Sequence, residues 1–272
     1  MTFSVLMSVY KNDNPIFLEQ ALQSIYEKQT LKPNEVVIVI DGPVGDDILH
    51  ILEDFADGKD SIVKILPQSI NKGLGTALNI GVQECTCDYI FRMDSDDVSL
   101  PERFEKQAKF IEQHPEVDVL GAGISEFNNS LNEQMRMRIC PSSHEEILEM
   151  GKRRNPVNHV TVCAKKQSIL DAGNYQPLLY SEDYYLWIRM MNLGYKFHNL
   201  EEPLVYVRIG NGFENRRGKR ENIKSWKTIQ QYMVDNGMIS KFQLNKTMLM
   251  MRTFTYMPVG IKMVLYKLFL RS

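Results

Sequence analysis

At 272 residues, 43% of them hydrophobic and 24% charged, the chain has ordinary globular composition and enough length for one large core with an appendage. Its formal net charge of -2 supplies no whole-molecule basic field, which argues against nucleic acid as a partner and requires any anion site to be local. Four scattered cysteines, Cys85, Cys87, Cys140 and Cys163, are too few for a disulfide framework or a structural zinc site and read as reduced thiols of a cytosolic protein.

The opening run Met1-Thr2-Phe3-Ser4-Val5-Leu6-Met7 has no basic leader and no cleavage site, so it reads as a buried strand rather than an export signal, with the strand proper at Phe3 to Val9. Asn14-Pro15 then opens a helix with Phe17, Leu18, Ala21, Leu22 and Ile25 at helical spacing. Val36-Val37-Ile38-Val39-Ile40 is a β-branched run without polar alternation, as expected of a central strand covered on both faces. A crossover helix from Asp46 to Phe55, a strand from Val63 to Leu66 and a helix beginning at Gly73 follow. Tyr89-Ile90-Phe91-Arg92-Met93 is a fourth strand that runs into Asp94-Ser95-Asp96-Asp97, and Pro101 to Glu112 is helical. This alternation predicts an α/β fold with a doubly wound, mostly parallel sheet. From Val117 to Val162 the periodicity is too weak to place elements, whereas Ser181 to Leu193 reads as a helix with Leu186, Trp187, Met190 and Met191 on one face.

Gly210-Asn211-Gly212 and Arg216-Arg217-Gly218-Lys219-Arg220 mark a change of character. We therefore expect a catalytic domain over residues 1–210, then a basic loop and a helical, amphipathic extension over 211–272. After Asp235 the chain has no acidic residue, while Lys241, Lys246, Arg252, Lys262, Lys267 and Arg271 accumulate. Charges interrupt every apolar run there before the ~18 to 20 residues that span a bilayer.

Asp94, Asp96 and Asp97 fall at the carboxyl end of a central strand, where open parallel sheets place their ligands. Three adjacent carboxylates repel one another, and a divalent cation relieves that repulsion; oxygen donors alone favour Mg²⁺ or Mn²⁺. A turn and helix cap ahead of Pro101 would use the same residue types. Asp41, at the end of another apolar strand, adds a second acidic group to that edge. Gly73-Leu74-Gly75 lacks the third glycine of a dinucleotide fingerprint, because position 78 is Leu78, and no Walker loop is present. Cys85-Thr86-Cys87 has the wrong spacing for a redox pair.

Five segments occur in one order: Ser8-Val9-Tyr10-Lys11-Asn12, Val39-Ile40-Asp41-Gly42, Asn71-Lys72-Gly73-Leu74-Gly75, Arg92-Met93-Asp94-Ser95-Asp96-Asp97 and Glu182-Asp183-Tyr184-Tyr185-Leu186-Trp187. In them the chain resembles a family 2 glycosyltransferase of GT-A fold, of the type that builds bacterial surface polysaccharides (O-antigen or capsule), over about its first 210 residues. The resemblance implies that Val9, Tyr10 and Asp41 contact the nucleoside base and that the turn Asn71, Lys72, Gly73 lies by the uridine and diphosphate. It implies that Asp94 and Asp96 serve the ribose, diphosphate and metal; Arg92 is a further candidate donor contact and Asp97 a further candidate metal ligand. It also implies inversion at the anomeric carbon, with Asp183 as general base and Glu182 the adjacent candidate. Two acidic residues at a helix start are equally what the helix dipole favours.

Trp187 is a candidate wall for the acceptor sugar or a core residue, and His159, in Asn155-Pro156-Val157-Asn158-His159, is a candidate acceptor contact or a satisfied structural histidine. Arg208 and Arg216-Arg217 either close over the donor phosphates or form a solvated basic loop. No Gln-x-x-Arg-Trp signature of processive members is present. The expected activity is therefore single transfer of a hexose (galactose or glucose first) or N-acetylhexosamine from a UDP-sugar to an undecaprenyl-diphosphate-linked saccharide. The expected setting is the inner face of the cytoplasmic membrane, where Met248, Leu249, Phe254, Met263, Val264, Leu265, Leu268 and Phe269, interleaved with cations, meet anionic lipid or pack on protein. A nucleotidyltransferase is the alternative enzyme, but Met7 to Asn14 has no glycine for its phosphate loop. A non-catalytic sugar-nucleotide-binding module is the other alternative, opposed by Glu182 and Asp183.

Overall fold

The computed structural model describes residues 1–128, 136–209 and 220–256. They fall into two units: Met1–Pro177 with Glu182–Ile209, and Leu178–Ser181 with the described residues 220–256. In the first unit the chain runs β1 (Phe3–Val9), α1 (Pro15–Ile25), β2 (Glu35–Ile40), α2 (Asp46–Ala56), β3 (Val63–Pro67), α3 (Leu74–Glu84) and β4 (Tyr89–Met93). It continues through β5 (Val98–Ser99), α4 (Arg103–Gln113), β6 (Val119–Phe127), β7 (Arg136–Arg138), α5 (His144–Gly151), β8 (Cys163–Lys165), α6 (Lys166–Asp171), α7 (Glu182–Asn192) and β9 (Phe197–Arg208).

The sheet order is β3-β2-β1-β4-β8-β6-β9-β5, with β7 paired to β6. The first four of these strands are parallel, and the antiparallel pairings begin where β8 meets β4. The sheet is therefore doubly wound and parallel through β4, then mixed. Strand periodicity sets its layers. Phe3, Val5, Met7 and Val9 point to one face, where they join Leu18, Leu22 and Ile25 of α1, Leu52 of α2 and Phe104 of α4 in a continuous core. The other face of β1 and β2 meets α3, whose Gly81 sits against Leu6 and Val39. α1 begins where the residues dictate: the Asn14 side chain accepts N–H bonds from Ile16 (3.0 Å) and Phe17 (3.3 Å), and Pro15 occupies the first turn.

The second unit contains α8 (Arg220–Asp235) and α9 (Lys241–Tyr256). Its buried side chains include Ile229, Met233, Ile239 and Met248, and the Ser225 hydroxyl donates to the Leu179 carbonyl at 3.0 Å. Among the described residues no helix is long and apolar enough to cross a membrane. The basic run through Arg216-Arg217 and the apolar positions from Met263 to Phe269 lie outside the described residues.

Candidate active site at the carboxyl edge of the sheet

β1, β2 and β4 end together: Val9 pairs with Ile40 and Met7 with Met93, so the residues that follow these strands emerge side by side. Asp41 is buried, 4% exposed, and both its carboxylate oxygens accept backbone N–H groups, from Lys72 at 2.8 Å and Gly73 at 2.9 Å. The Asn71 side chain returns a bond to the Asp41 carbonyl at 2.9 Å. These three bonds hold the Asn71, Lys72, Gly73 turn against the end of β2. Gly42 makes the approach possible, since its φ is +86° and a Cβ there would lie 2.5 Å from the Asn71 nitrogen. Val9 itself is wholly buried, so its side chain belongs to the core and only Tyr10, 38% exposed, can present one to a ligand.

The three carboxylates after β4 have different surroundings. Asp94 is half-buried and ion-paired with Arg92, and Asp96 faces solvent. Asp97 turns inward, 3% exposed, and accepts the Arg208 N–H at 2.8 Å. Burial, reinforced by Asp94 and Asp96, raises the Asp97 carboxyl well above the usual range. Asp97 therefore secures the turn from inside. Among the described residues no three His, Cys, Asp or Glu side chains gather as a ready-made metal site. Asp96 and Asp94 still fit a Mg²⁺ or Mn²⁺ ion that takes its remaining oxygens from a diphosphate and water, the usual mode for these ions.

Asp13 stands beside this turn and was not foreseen. Burial pushes its carboxyl up to about 6, against the pull of the Tyr10 N–H and Ser95, while Asp96 and Asp94 add to the rise. In sequence it looks like part of the polar turn before Pro15. Arg208 closes the turn from β9: its Nε donates to the Asp96 carbonyl at 3.2 Å and its Nη2 to Gln20 Oε1 at 3.0 Å. Its guanidinium lies 3.6 Å from the Phe17 ring centroid and 4.5 Å from that of Phe127. These contacts make Arg208 a brace for the acidic turn.

Arg92 is the buried cation at the centre, 4% exposed. Burial, which opposes its charge, is outweighed by Asp94, with Tyr175 and Asp97 adding to the hold. The same charge acts on His159, Tyr175 and Asp183, so the structure gathers groups from four segments around one guanidinium. Tyr175, also unforeseen, has its hydroxyl 2.9 Å from His159 Nε2, and its backbone carbonyl accepts the Asn79 amide at 2.7 Å. Burial first and Arg92 second lower the His159 pKa well below the ordinary value, so the ring is neutral.

Asp183, in the first turn of α7, is a half-buried carboxylate whose Oδ2 accepts the Asn155 side-chain N–H at 2.6 Å. Burial raises its pKa; the Tyr184 N–H, Asn155 and Arg92 partly offset that rise. Glu182 lies beside the start of α3, its Cβ 3.1 Å from where a Cβ on Gly75 would be. Trp187 is entirely buried, edge-on to His159, Tyr175 and Phe197. It packs beneath the site and offers no wall to a sugar in solvent.

An open parallel edge carries an acidic turn, a capped turn and a half-buried carboxylate beyond them. Residues 4–172 match the profile described as Glycosyl transferase family 2, more than half of the chain, and the chain belongs to that family. It is 39% identical over 267 residues to the amylovoran biosynthesis glycosyltransferase AmsE of Erwinia amylovora, covering 97% of this chain and 98% of that one. It is 36% identical over 216 residues to a UDP-Gal:alpha-D-GlcNAc-diphosphoundecaprenol beta-1,3-galactosyltransferase of Escherichia coli, covering 79% and 77%. The crystal structure of Staphylococcus aureus TarS 1-349 in complex with UDP-GlcNAc superimposes with a TM-score of 0.70 at 20% identity, covering 94% of this chain and 73% of that one. That likeness establishes the GT-A fold.

Proposed function

We propose that this glycosyltransferase transfers one hexose or N-acetylhexosamine per encounter, with inversion, from a UDP-sugar to a lipid-diphosphate-linked saccharide during assembly of a bacterial surface polysaccharide. Galactose and glucose are the first candidates for the sugar. The carrying observation is what meets at Arg92: it is ion-paired with Asp94, and its charge also acts on Asp97 and on the Asp183 carboxylate. Support for the donor and acceptor class comes from relatives whose names specify amylovoran biosynthesis and a diphosphoundecaprenol-linked acceptor. Residues 1–210 would carry the chemistry, and the helical region beyond would meet the inner face of the membrane.

The chemistry follows from the placement. Asp41 and the Asn71 to Gly73 turn receive the nucleoside end, with Tyr10 beside it. The acceptor hydroxyl gives its proton to the Asp183 carboxylate while its oxygen bonds to the anomeric carbon; the bond from that carbon to the diphosphate oxygen breaks, and its electron pair leaves with UDP. Asp96, with Asp94, would hold a Mg²⁺ or Mn²⁺ ion, which supplies positive charge against the leaving diphosphate. Arg92 keeps Asp94 oriented. Burial of Asp183 raises its basicity, and the half-open setting leaves it reachable by the acceptor.

UDP release from UDP-galactose, UDP-glucose and UDP-N-acetylglucosamine, with an undecaprenyl-diphosphate-sugar mimic and with Mn²⁺ or chelator, tests the reading. One donor should release UDP only with acceptor and cation present. Asp183→Asn should abolish turnover while calorimetry still detects UDP binding; undiminished turnover would overturn the assignment of the base.

A further inference from the structure

We infer that Asn155 is a positioning residue that fixes the orientation and charge of the Asp183 carboxylate. The inference rests on the proposed role of Asp183 as the base. Asn155 and Asp183 are 28 residues apart and meet at 2.6 Å, Nδ2 to Oδ2. The amide cannot be turned the other way, because its Oδ1 accepts the Val157 N–H at 3.2 Å. An acceptor facing that N–H leaves only the NH₂ group to face the carboxylate.

The arm that carries Asn155 is itself fixed. Pro156 restricts the preceding backbone toward extended conformations. The Pro156 carbonyl accepts the Asn199 side chain at 3.1 Å, and Asn199, fully buried on β9, also donates to the Pro141 carbonyl at 2.7 Å. A donor held this firmly does two things. It selects one rotamer of Asp183 at the start of α7, and it favours the ionised carboxylate over the acid. Among the described residues Arg92 from β4 acts on Asp183, Asp183 and the adjacent Glu182 both act on Tyr175 from the preceding loop, and each of these groups remains when Asn155 is changed.

The sign of the effect is fixed by that geometry. Removing the donor destabilises the carboxylate, so Asp183 gives up its proton at higher pH and the acidic limb of the kcat profile moves upward. One charge-assisted hydrogen bond corresponds to a shift of about one pH unit. The test is kcat against pH at saturating donor for wild type, Asn155→Ala and the isosteric Asn155→Asp, with KM for the UDP-sugar measured alongside. Asn155→Ala should move the limb up by about one unit with KM unchanged. Asn155→Asp replaces a donor by a like charge and should move it further. A uniform loss of kcat at every pH with an unmoved limb in both variants would make Asn155 merely structural and overturn the inference. If instead Asp183→Asn keeps turning over, it is the base assignment that fails, and the two failures are distinct.

Discussion

Trp187 illustrates how a single residue separates packing from recognition. It lies on the face of α7 that the Leu and Met spacing turns inward, and its neighbours are His159, Tyr175 and Phe197. Among the described residues its indole N–H has no hydrogen-bond partner, and the buried ring fills space between its aromatic neighbours. Trp187→Ala should therefore destabilise the protein by about 3–5 kcal/mol in urea unfolding, and Trp187→Phe by much less, with KM for acceptor unchanged in the latter. An acceptor KM that rises in Trp187→Phe without loss of stability would return the residue to the sugar. His159 is a neutral ring, with Nε2 2.9 Å from the Tyr175 hydroxyl. The candidate ligand residues legible in the sequence were those that follow apolar strands, Asp41 and Asp94, because a strand end in a parallel sheet specifies where its next residue emerges. Asp13, Asn155 and Tyr175 were not legible, since each acts through a contact between a loop and a distant element that no periodicity encodes.

At the scale of elements, the turn between β2 and its partner segment concentrates the constraint. Gly42 stands at φ +86°, and any Cβ would meet the Asn71 backbone. Gly42→Ala should cost about 1–3 kcal/mol of stability, by urea titration, and weaken UDP binding in calorimetry because the Asn71 to Gly73 turn must move. Stability and UDP affinity both equal to wild type would show that the turn tolerates displacement. β1 to β4 and α1 to α4 were readable because unbroken apolar runs alternate with helical spacing. β6 was not, because it is buried on both faces, contains Gly121 and Gly123, and changes register between Ala122 and Ile124. β9 was missed because Glu201-Glu202-Pro203 interrupts it with exposed charge, yet it pairs with β6 on both sides of that interruption.

For the molecule as a whole, the second unit carries exposed apolar side chains set among cations. α9 has no acidic residue in its first turn or anywhere along Lys241–Tyr256, and Phe242, Leu249 and Met250 are 77%, 67% and 64% exposed beside Lys241, Lys246 and Arg252. Apolar side chains set among cations suit an anionic interface, where each cation contributes roughly 1 kcal/mol. Replacing Lys241, Lys246 and Arg252 together by Gln should lower sedimentation with phosphatidylglycerol vesicles and leave that with phosphatidylcholine vesicles unchanged. Equal sedimentation of both proteins with the anionic vesicles would direct attention away from this face.

The brace supplied by Arg208 has a consequence for the order in which the protein becomes competent. Its N–H reaches Asp97 across 111 residues of chain, and its guanidinium is seated between Phe17, near the amino terminus, and Phe127, in the middle. Contacts of such sequence separation close late in folding, because loop entropy must be lost before they form. A chain emerging from the ribosome thus holds every acidic residue of the turn long before it holds the strand that clamps them. The acidic turn is therefore clamped only once β9, the last of the described strands in chain order, is in place.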